Sequence, residues 1–391
     1  MIEATLWANV RPPGGLEREC MLYQPPIPSK YTEMRERDLI AAIADRKQRL
    51  GRRLVILGHH YQHDDVIQFA DFTGDSLKLA KIAAAQTEAE FVIFCGVHFM
   101  AETADMLTSD DVHVILPDLA AGCSMADMAE IDQVEDAWER LTDATDAKIV
   151  PITYVNSAAN IKAFCGGRDG ACCTSSNAPQ VLEWALRTGE KVLFLPDQHL
   201  GRNTAYMMGY PLDSMVVYDP HQENGGLTDA EVADARFILW RGHCSVHQLF
   251  TPEQCDQIRA ADPAYQILVH PEVPWEVVQK ADLAGSTEFI VKTVAEAPAG
   301  TKWAVGTEVN LVNRLTKQYA DTKVVRSLAG VQCLCTTMYR IDMPHLLHVL
   351  DNLVDGRIVN QIHVDPETTA LAILALNRML ANVSARPVAI K

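Results

Sequence analysis

Short apolar runs alternate along most of the chain with segments that carry apolar residues at helical spacing. The runs predict β-strands at 53–57, 91–95, 112–116, 148–155, 191–195, 215–218, 236–240, 266–270 and 303–306. Helices are predicted over segments such as "GDSLKLAKIAAAQT", "APQVLEWALRTG", "TPEQCDQIRAA" and "PWEVVQKA". Strands that alternate with helices form βαβ units, so the pattern predicts an α/β fold with parallel sheets covered on both faces.

A chain of 391 residues exceeds one ordinary hydrophobic core and is expected to hold two or three domains. The alternation divides into three comparable portions. We predict α/β domains at 38–147, 148–234 and 235–335. Residues 1–37 are proline-rich and predict an N-terminal extension on the surface. Residues 336–391 predict a leucine-rich helical segment at the C-terminus.

Polar loops follow almost every predicted strand at its C-terminal end, for example "CGVHFMAET", "TYVNSAAN", "WRGHCSVH" and "VHPEVP". Ligands of open α/β sheets bind at this edge, where the N-termini of helices also present unpaired N–H groups. If the three portions face one another, these loops converge on a single central site.

The loop "GHHYQHDD" holds His59, His60 and His63 beside two aspartates. Such density indicates a metal site or a catalytic loop, and a solvated turn is the plainer alternative. One rival function is therefore a zinc or non-haem iron hydrolase that uses His59, His63 and a carboxylate. Against it, no HExxH pair or similar helical pattern occurs in the chain.

Charge and composition narrow the class of partner. The chain is 48% hydrophobic and 22% charged, with 34 Lys+Arg against 51 Asp+Glu and a formal charge of −17. This balance disfavours nucleic acid and anionic membranes as main partners, although a pocket can bind small anions with a few local donors. No apolar run approaches the ~20 residues that span a bilayer. The segment "MIEATLWANVRPPGG" lacks the features of a secretory signal, so we expect a cytoplasmic protein.

Ten cysteines in such a protein are expected to be reduced thiols or metal ligands. Cys123, Cys244 and Cys335 each follow a predicted strand or a connecting loop, and only a fold that joins three portions could bring them together. Gathered thiolates favour an iron–sulfur cluster or zinc. A second cysteine-rich stretch, "CGGRDGACC", could bind zinc but lacks a CxxC partner pair at zinc-ribbon spacing.

Ten short motifs then resemble, in order, those of the quinolinate synthases (the NadA family): "HHYQ", "GDSL", "GCSMADM", "YVNS", "CTSSNA", "WRGHCSVH", "VHPE", "GSTEF", "GTEVNLVNRL" and "CLCTTM". They cover about residues 52–340. The resemblance implies three pseudo-symmetric α/β domains around a central [4Fe–4S] cluster. It also implies that the enzyme condenses iminoaspartate with dihydroxyacetone phosphate to quinolinate, phosphate and water in NAD biosynthesis. A functional link to L-aspartate oxidase follows from the same resemblance.

The resemblance also assigns residues. It implies that Cys123, Cys244 and Cys335 are the cluster ligands and that Cys173, which directly precedes "TSSNA", is not. The implied substrate-binding residues are His59, Ser76, Tyr154, Asn156, Ser175, His270, Glu272 and Thr287. Tyr61 and Glu308 also lie in family motifs and are expected to bind substrate or act in catalysis.

Proton transfer is expected from His59, Tyr61, His270 and Glu272, because histidine and glutamate with near-neutral pKa values suit acid–base catalysis. Three thiolates on four irons would leave one iron open as a Lewis acid. An iron–sulfur sensor or scaffold is the rival outside catalysis, although no DNA-reading module is recognisable. The chain departs from the family at "GHHYQ", where "AHNYQ" is common, which leaves the role of His60 open. It has "GCSMAD" in place of "GCPMAD", which alters only the rigidity of that loop.

Overall fold

Three parallel β-sheets follow one another along the chain in the computed structural model, which describes residues 23–330 and 332–383. Helices flank each sheet, so the predicted α/β class with three pseudo-symmetric domains is confirmed. We call each sheet with its helices the first, second or third domain.

The first domain contains α1 (Ser29–Thr32), α2 (Glu36–Leu50), β1 (Leu54–His59), α3 (Asp64–Ile67), β2 (Phe72–Gly74), α4 (Ser76–Ala84), β3 (Phe91–Cys95), α5 (His98–Leu107) and β4 (His113–Ile115). Helix α6 (Ile131–Asp143) leads to the second domain. That domain contains β5 (Ile149–Tyr154), α7 (Ala159–Gly167), β6 (Ala171–Cys173), α8 (Ala178–Thr188), β7 (Lys191–Leu195), α9 (Gln198–Met207), β8 (Met215–Tyr218), α10 (Asp229–Asp234) and β9 (Phe237–Trp240).

The third domain contains α11 (Pro252–Ala261), β10 (Tyr265–Val269), α12 (Trp275–Lys280), β11 (Leu283–Ala284), α13 (Thr287–Glu296), β12 (Lys302–Gly306), α14 (Val309–Gln318) and β13 (Val324–Ser327). Helices α15 (Met343–Val354) and α16 (Pro366–Val383) complete the described chain. Helix α15 packs against α2 and α16 packs against α7, so the C-terminal helices cover the first and second domains.

The three sheets share one strand order. It is β2-β1-β3-β4 in the first sheet and β11-β10-β12-β13 in the third. The second sheet, β6-β5-β7-β9-β8, follows the same order with β8 added at its edge. In each sheet the strand that comes first in the sequence lies inside the sheet. The strand that comes second pairs with it and forms one edge of the sheet. All paired strands in these sheets are parallel, so their C-terminal ends lie on the same edge of each sheet.

All nine predicted strands are present, and four further short strands were not predicted. The missed strands β2, β6 and β11 are edge strands two or three residues long, too short to show a hydrophobic period. The missed β13 has an edge position and alternates exposed with buried residues.

The second sheet extends beyond the predicted boundary at 234/235. Strand β9 was assigned to the third portion, but it pairs with β7 and β8 in the second sheet. The apolar pattern predicts that a strand exists, whereas which sheet it joins depends on contacts distant in sequence. The second sheet therefore ends after Trp240.

Most of the predicted N-terminal extension, residues 1–22, lies outside the described residues, as do residues 384–391 of the predicted helical segment. No helix in the described part of the chain is long and apolar enough to cross a membrane.

Candidate active site

Twelve of the thirteen predicted site residues line one cavity where the three domains meet: His59, Tyr61, Ser76, Cys123, Tyr154, Asn156, Ser175, Cys244, His270, Glu272, Thr287 and Cys335. Each domain contributes four of them. They lie on the loops at the C-terminal ends of strands, as the position of the polar loops predicts.

The strand register explains this convergence, because each domain places its four residues at equivalent positions. His59 ends β1 opposite Gly74, and Tyr154 ends β5 opposite Cys173. In the third domain, one further step of the β10–β11 register places His270 opposite Gly285. A second polar side chain follows two residues later in each loop: Tyr61, Asn156 or Glu272.

Each domain also has a residue with a hydroxyl group two positions after Gly74, Cys173 or Gly285. We call these residues, Ser76, Ser175 and Thr287, the hydroxyl set. Ser76 and Thr287 are also the first residues of α4 and α13. Neighbouring unpaired N–H groups make such positions suitable for an anionic oxygen. The described structure places all three on the lining of the cavity.

We call Cys123, Cys244 and Cys335 the cysteine set. They follow β4, β9 and β13, which occupy equivalent positions in the three sheets, and they pack at the three junctions between the domain cores. Cys123 packs between the first and second cores, Cys244 between the second and third, and Cys335 between the third and first. Each is followed by a short 3₁₀ turn that begins three residues later. The backbone N–H at that position donates to the cysteine sulfur in all three cases. This donation favours thiolates, whereas burial raises the pKa of each thiol, to about 12 for Cys123.

Burial also moves the pKa values of the acid–base candidates away from neutrality. It lowers the pKa of both His59 and His270 to about 3, so both imidazoles are neutral near pH 7. Burial alone would raise the pKa of Glu272, but His270, His247 and the Tyr154 hydroxyl together lower it, and the carboxylate is ionised. The expectation of near-neutral pKa values therefore does not describe these buried groups.

A line of close contacts runs from Glu272 to Tyr61 through two residues that the sequence did not single out. His247 Nδ1 lies 2.7 Å from Glu272 Oε2, and His247 Nε2 lies 3.1 Å from Thr307 Oγ1. Thr307 Oγ1 lies 2.9 Å from the Tyr61 hydroxyl, which also contacts Thr287 Oγ1 at 3.2 Å. Burial raises the pKa of the Tyr61 hydroxyl well above its usual value, so this hydroxyl keeps its proton near pH 7.

His247 was present in the motif "WRGHCSVH", and its spacing of three residues from Cys244 was the available signal. Thr307 directly precedes Glu308 in "GTEVN" and had no separate signal. Asp75 also lines the cavity and accepts the Lys78 N–H as the N-cap of α4. The motif "GDSL" contained Asp75, although only its serine was predicted.

The thirteenth candidate, Glu308, does not line the cavity and is instead the N-cap of α14. Its carboxylate accepts N–H groups from Asn310 at 2.7 Å and Leu311 at 3.4 Å, and it also accepts the N–H of Cys335. Glu308 therefore supports the loop of one cavity cysteine.

Three other residues of interest also lie outside this lining. His60 contacts Glu288 Oε1 at 3.1 Å across the first and third domains. His63 is the N-cap of α3, where its Nδ1 accepts the Asp65 N–H. The hydrolase alternative needed His63 as a metal ligand, and this capping position does not support it. Cys173 is buried in β6.

Known proteins resemble this chain over most of its length. A family model described as "Quinolinate synthetase A protein" matches residues 41–381. The chain belongs to the quinolinate synthetase A family. It is 57% identical to the quinolinate synthase of Streptomyces coelicolor over 88% of both chains. It is 57% identical to that of Acidobacterium capsulatum over 90% of this chain and 94% of the relative, and 56% identical to that of Geobacillus kaustophilus over 91% and 96%.

For a member of the quinolinate synthetase A family, the donor set in the cavity fits an iron–sulfur cluster. Three soft thiols face one cavity, and each receives a backbone N–H that stabilises its thiolate form. The nine described cysteines are all free thiols, so none of the cysteine set is consumed by a disulfide.

Proposed function

We propose that the chain is a quinolinate synthase that condenses iminoaspartate with dihydroxyacetone phosphate to quinolinate, phosphate and water. In this proposal a [4Fe–4S] cluster is held by the cysteine set, and the reaction belongs to cytoplasmic NAD biosynthesis. The observation that carries the proposal is the convergence of the three cysteines, one from each domain, with the nine other predicted site residues on one cavity. Family membership supports the same reaction.

Binding of anionic substrates is assigned to neutral donors. The hydroxyl set and Asn156 offer O–H and N–H groups to carboxylate and phosphate oxygens, and two of the hydroxyls stand at the N-termini of helices. A chain of net charge −17 can therefore bind anions, because donors are concentrated at the cavity.

Proton transfer is assigned to His59, His270, Tyr61 and Glu272. The imidazoles of His59 and His270 are neutral near pH 7 because burial disfavours their charged forms. A dianionic substrate would favour the imidazolium by Coulomb attraction, so substrate binding itself raises their basicity. Each imidazole could then accept a proton from one substrate atom and return it to a leaving oxygen.

Glu272 and Tyr61 act together through the contacts of His247 and Thr307. The ionised Glu272 lies 2.7 Å from His247 Nδ1 and contacts the Tyr154 hydroxyl. The Tyr61 hydroxyl, held between Thr287 and Thr307, is oriented to donate its proton to an oxygen that develops negative charge. When bound, the cluster supplies an iron without a protein ligand as a Lewis acid for a substrate oxygen.

Iminoaspartate contains a readily hydrolysed imine, so the proposal includes a functional link to the oxidase that forms it from L-aspartate. Direct transfer of iminoaspartate from that oxidase, or its rapid binding by this chain, would limit the hydrolysis of the imine in water.

The proposal is tested by iron and sulfide analysis of anaerobically purified protein, combined with an assay for quinolinate. We expect brown protein with about four irons per chain and quinolinate formed only when both substrates are present. A colourless protein with bound zinc would contradict the cluster. A brown protein without turnover would instead support the sensor alternative.

A further inference from the structure

A second arrangement of metal donors adjoins the cavity and uses only one of the cysteines. Cys244, His247 and Glu272 place their donor atoms within 4.8 Å of one another. His247 is 1% exposed and Glu272 is 3% exposed. We propose that these three residues bind one Zn²⁺ ion in the cluster-free chain and that this ion blocks insertion of the cluster.

The donor chemistry suits zinc. Zinc binds thiolate, imidazole and carboxylate at about 2.0–2.3 Å, which corresponds to donor separations of about 3.3–3.8 Å in a tetrahedral site. The separation of 2.7 Å between His247 Nδ1 and Glu272 Oε2 needs only a small expansion to reach this range. Three protein donors leave a fourth position for water, as in open zinc sites.

His247 carries an unused donor at the centre of this group. Its Nδ1 is buried with no hydrogen-bond partner of good geometry among the described residues, and the nearest charged atom is Glu272 Oε2 at 2.7 Å. Its Nε2 lies 3.1 Å from Thr307 Oγ1. A tautomer that donates from Nε2 to this hydroxyl leaves the Nδ1 lone pair directed at the ion, and such outer contacts orient metal-binding histidines.

The pseudo-symmetry of the domains provides an internal comparison. The residue three positions after the cysteine is Ala126 in the first domain and Met338 in the third, where the second has His247. Neither alanine nor methionine offers a nitrogen donor for zinc. Within residues 23–330 and 332–383, the junction that contains Cys244 is therefore the one that combines thiol, imidazole and carboxylate.

Competition with the cluster follows from the shared thiolate. Cys244 is a cluster ligand in the proposed function, so the two metal forms exclude each other at this residue. This consequence rests on the proposed function, whereas zinc binding itself does not.

The test uses the full-length chain freed of iron by a chelator under anaerobic conditions, with Co²⁺ as a spectroscopic probe and Zn²⁺ as competitor. We expect one Co²⁺ per chain with a thiolate-to-cobalt charge-transfer band, displaced by one equivalent of Zn²⁺. Cys244→Ser should abolish the band. His247→Gln and Glu272→Gln should each weaken binding by at least about tenfold, the lower range for loss of a metal-supporting residue.

Cys123→Ser and Cys335→Ser are the matched controls, because each removes a cavity thiol without removing a donor of the zinc group. Both should bind Zn²⁺ within about threefold of the parent. Loss of zinc in these variants would overturn the assignment in favour of a site made by the cysteine set. Unchanged binding in His247→Gln and Glu272→Gln, with native near-ultraviolet circular dichroism, would also overturn it.

A last arm measures reconstitution with iron and sulfide before and after addition of one equivalent of Zn²⁺. Zinc-loaded protein should fail to develop the cluster absorbance until a zinc chelator is added. Full reconstitution with zinc still bound would refute the competition. Failure of the zinc-free parent to form a cluster would instead contradict the proposed function.

Discussion

Replacing Glu272 with glutamine tests the assigned proton chemistry most directly. The change keeps the size of the side chain and one acceptor oxygen but removes the negative charge. Glu272 is buried, ionised, 2.7 Å from His247 and in contact with the Tyr154 hydroxyl. Glutamine should therefore preserve the fold and the cysteine set while it disrupts the line of contacts to Tyr61.

The size of the loss follows from the contacts removed. A hydrogen bond to a charged group contributes ~1.5–3 kcal/mol, and each 1.36 kcal/mol corresponds to about a tenfold change in rate. One weakened contact would then cost about 10- to 150-fold. General acid–base catalysis typically contributes ~10²–10⁴-fold. We expect turnover of Glu272→Gln to fall at least about 100-fold.

The assay measures quinolinate formation under anaerobic conditions alongside iron content and thermal unfolding. Glu296→Gln makes the same chemical change on an exposed side chain and should leave all three quantities at parent values. Iron content and colour of Glu272→Gln should match the parent. Turnover within about threefold of the parent, with iron retained, would refute a catalytic role for Glu272.

Three further predictions concern residues around the cavity. Alanine at any position of the cysteine set should abolish a stable cluster in iron analysis, whereas Cys173→Ala should keep near-parental iron; the reverse pattern would contradict the ligand assignment. His60 and Lys78 hold the pKa of Glu288 at about 2, below its usual 4.5. A carboxyl group whose pKa is lower in the folded than in the unfolded state stabilises the fold at pH values above the unfolded pKa. This stabilisation is lost as the pH falls towards the folded pKa of about 2. Between about pH 5 and about pH 3, Glu288→Gln should therefore lose less thermal stability than the parent, and equal losses would contradict this coupling. Glu308→Ala removes the acceptor for the Cys335 N–H and should accelerate cluster loss to a chelator, followed by absorbance, whereas Glu308→Gln should resemble the parent; equal rates in both would contradict a supporting role.

Much of the fold was predictable because it depends on local patterns. All nine predicted strands were confirmed, since buried parallel strands form continuous apolar runs. The position of the site at the C-terminal ends of strands followed from the polar loops alone. The short edge strands and the sheet joined by β9 were not predictable, because they depend on pairing between residues distant in sequence.

Individual site residues required more than local pattern. Twelve of the site residues assigned by the resemblance line the cavity, although their roles stay predictions. His247 and Thr307 were missed because their importance comes from contacts across domains. Glu308 is the N-cap of α14 and does not line the cavity, and its expected role in binding or catalysis stays a prediction. A sequence motif marks a constrained position, and the structure distinguishes contact with the cavity from support of a neighbouring loop.

The equal contribution of the three domains to the cavity has a consequence for biogenesis. Each equivalent set takes one member from each domain, so no set is complete until all three domains have docked. Such contacts join residues that are distant in sequence. They form late in folding, because closing a long loop costs conformational entropy. A nascent chain that has made only two domains carries at most two of the cysteine set. Cluster delivery should therefore follow synthesis of the third domain, and a truncated chain should fold locally yet remain unable to retain iron.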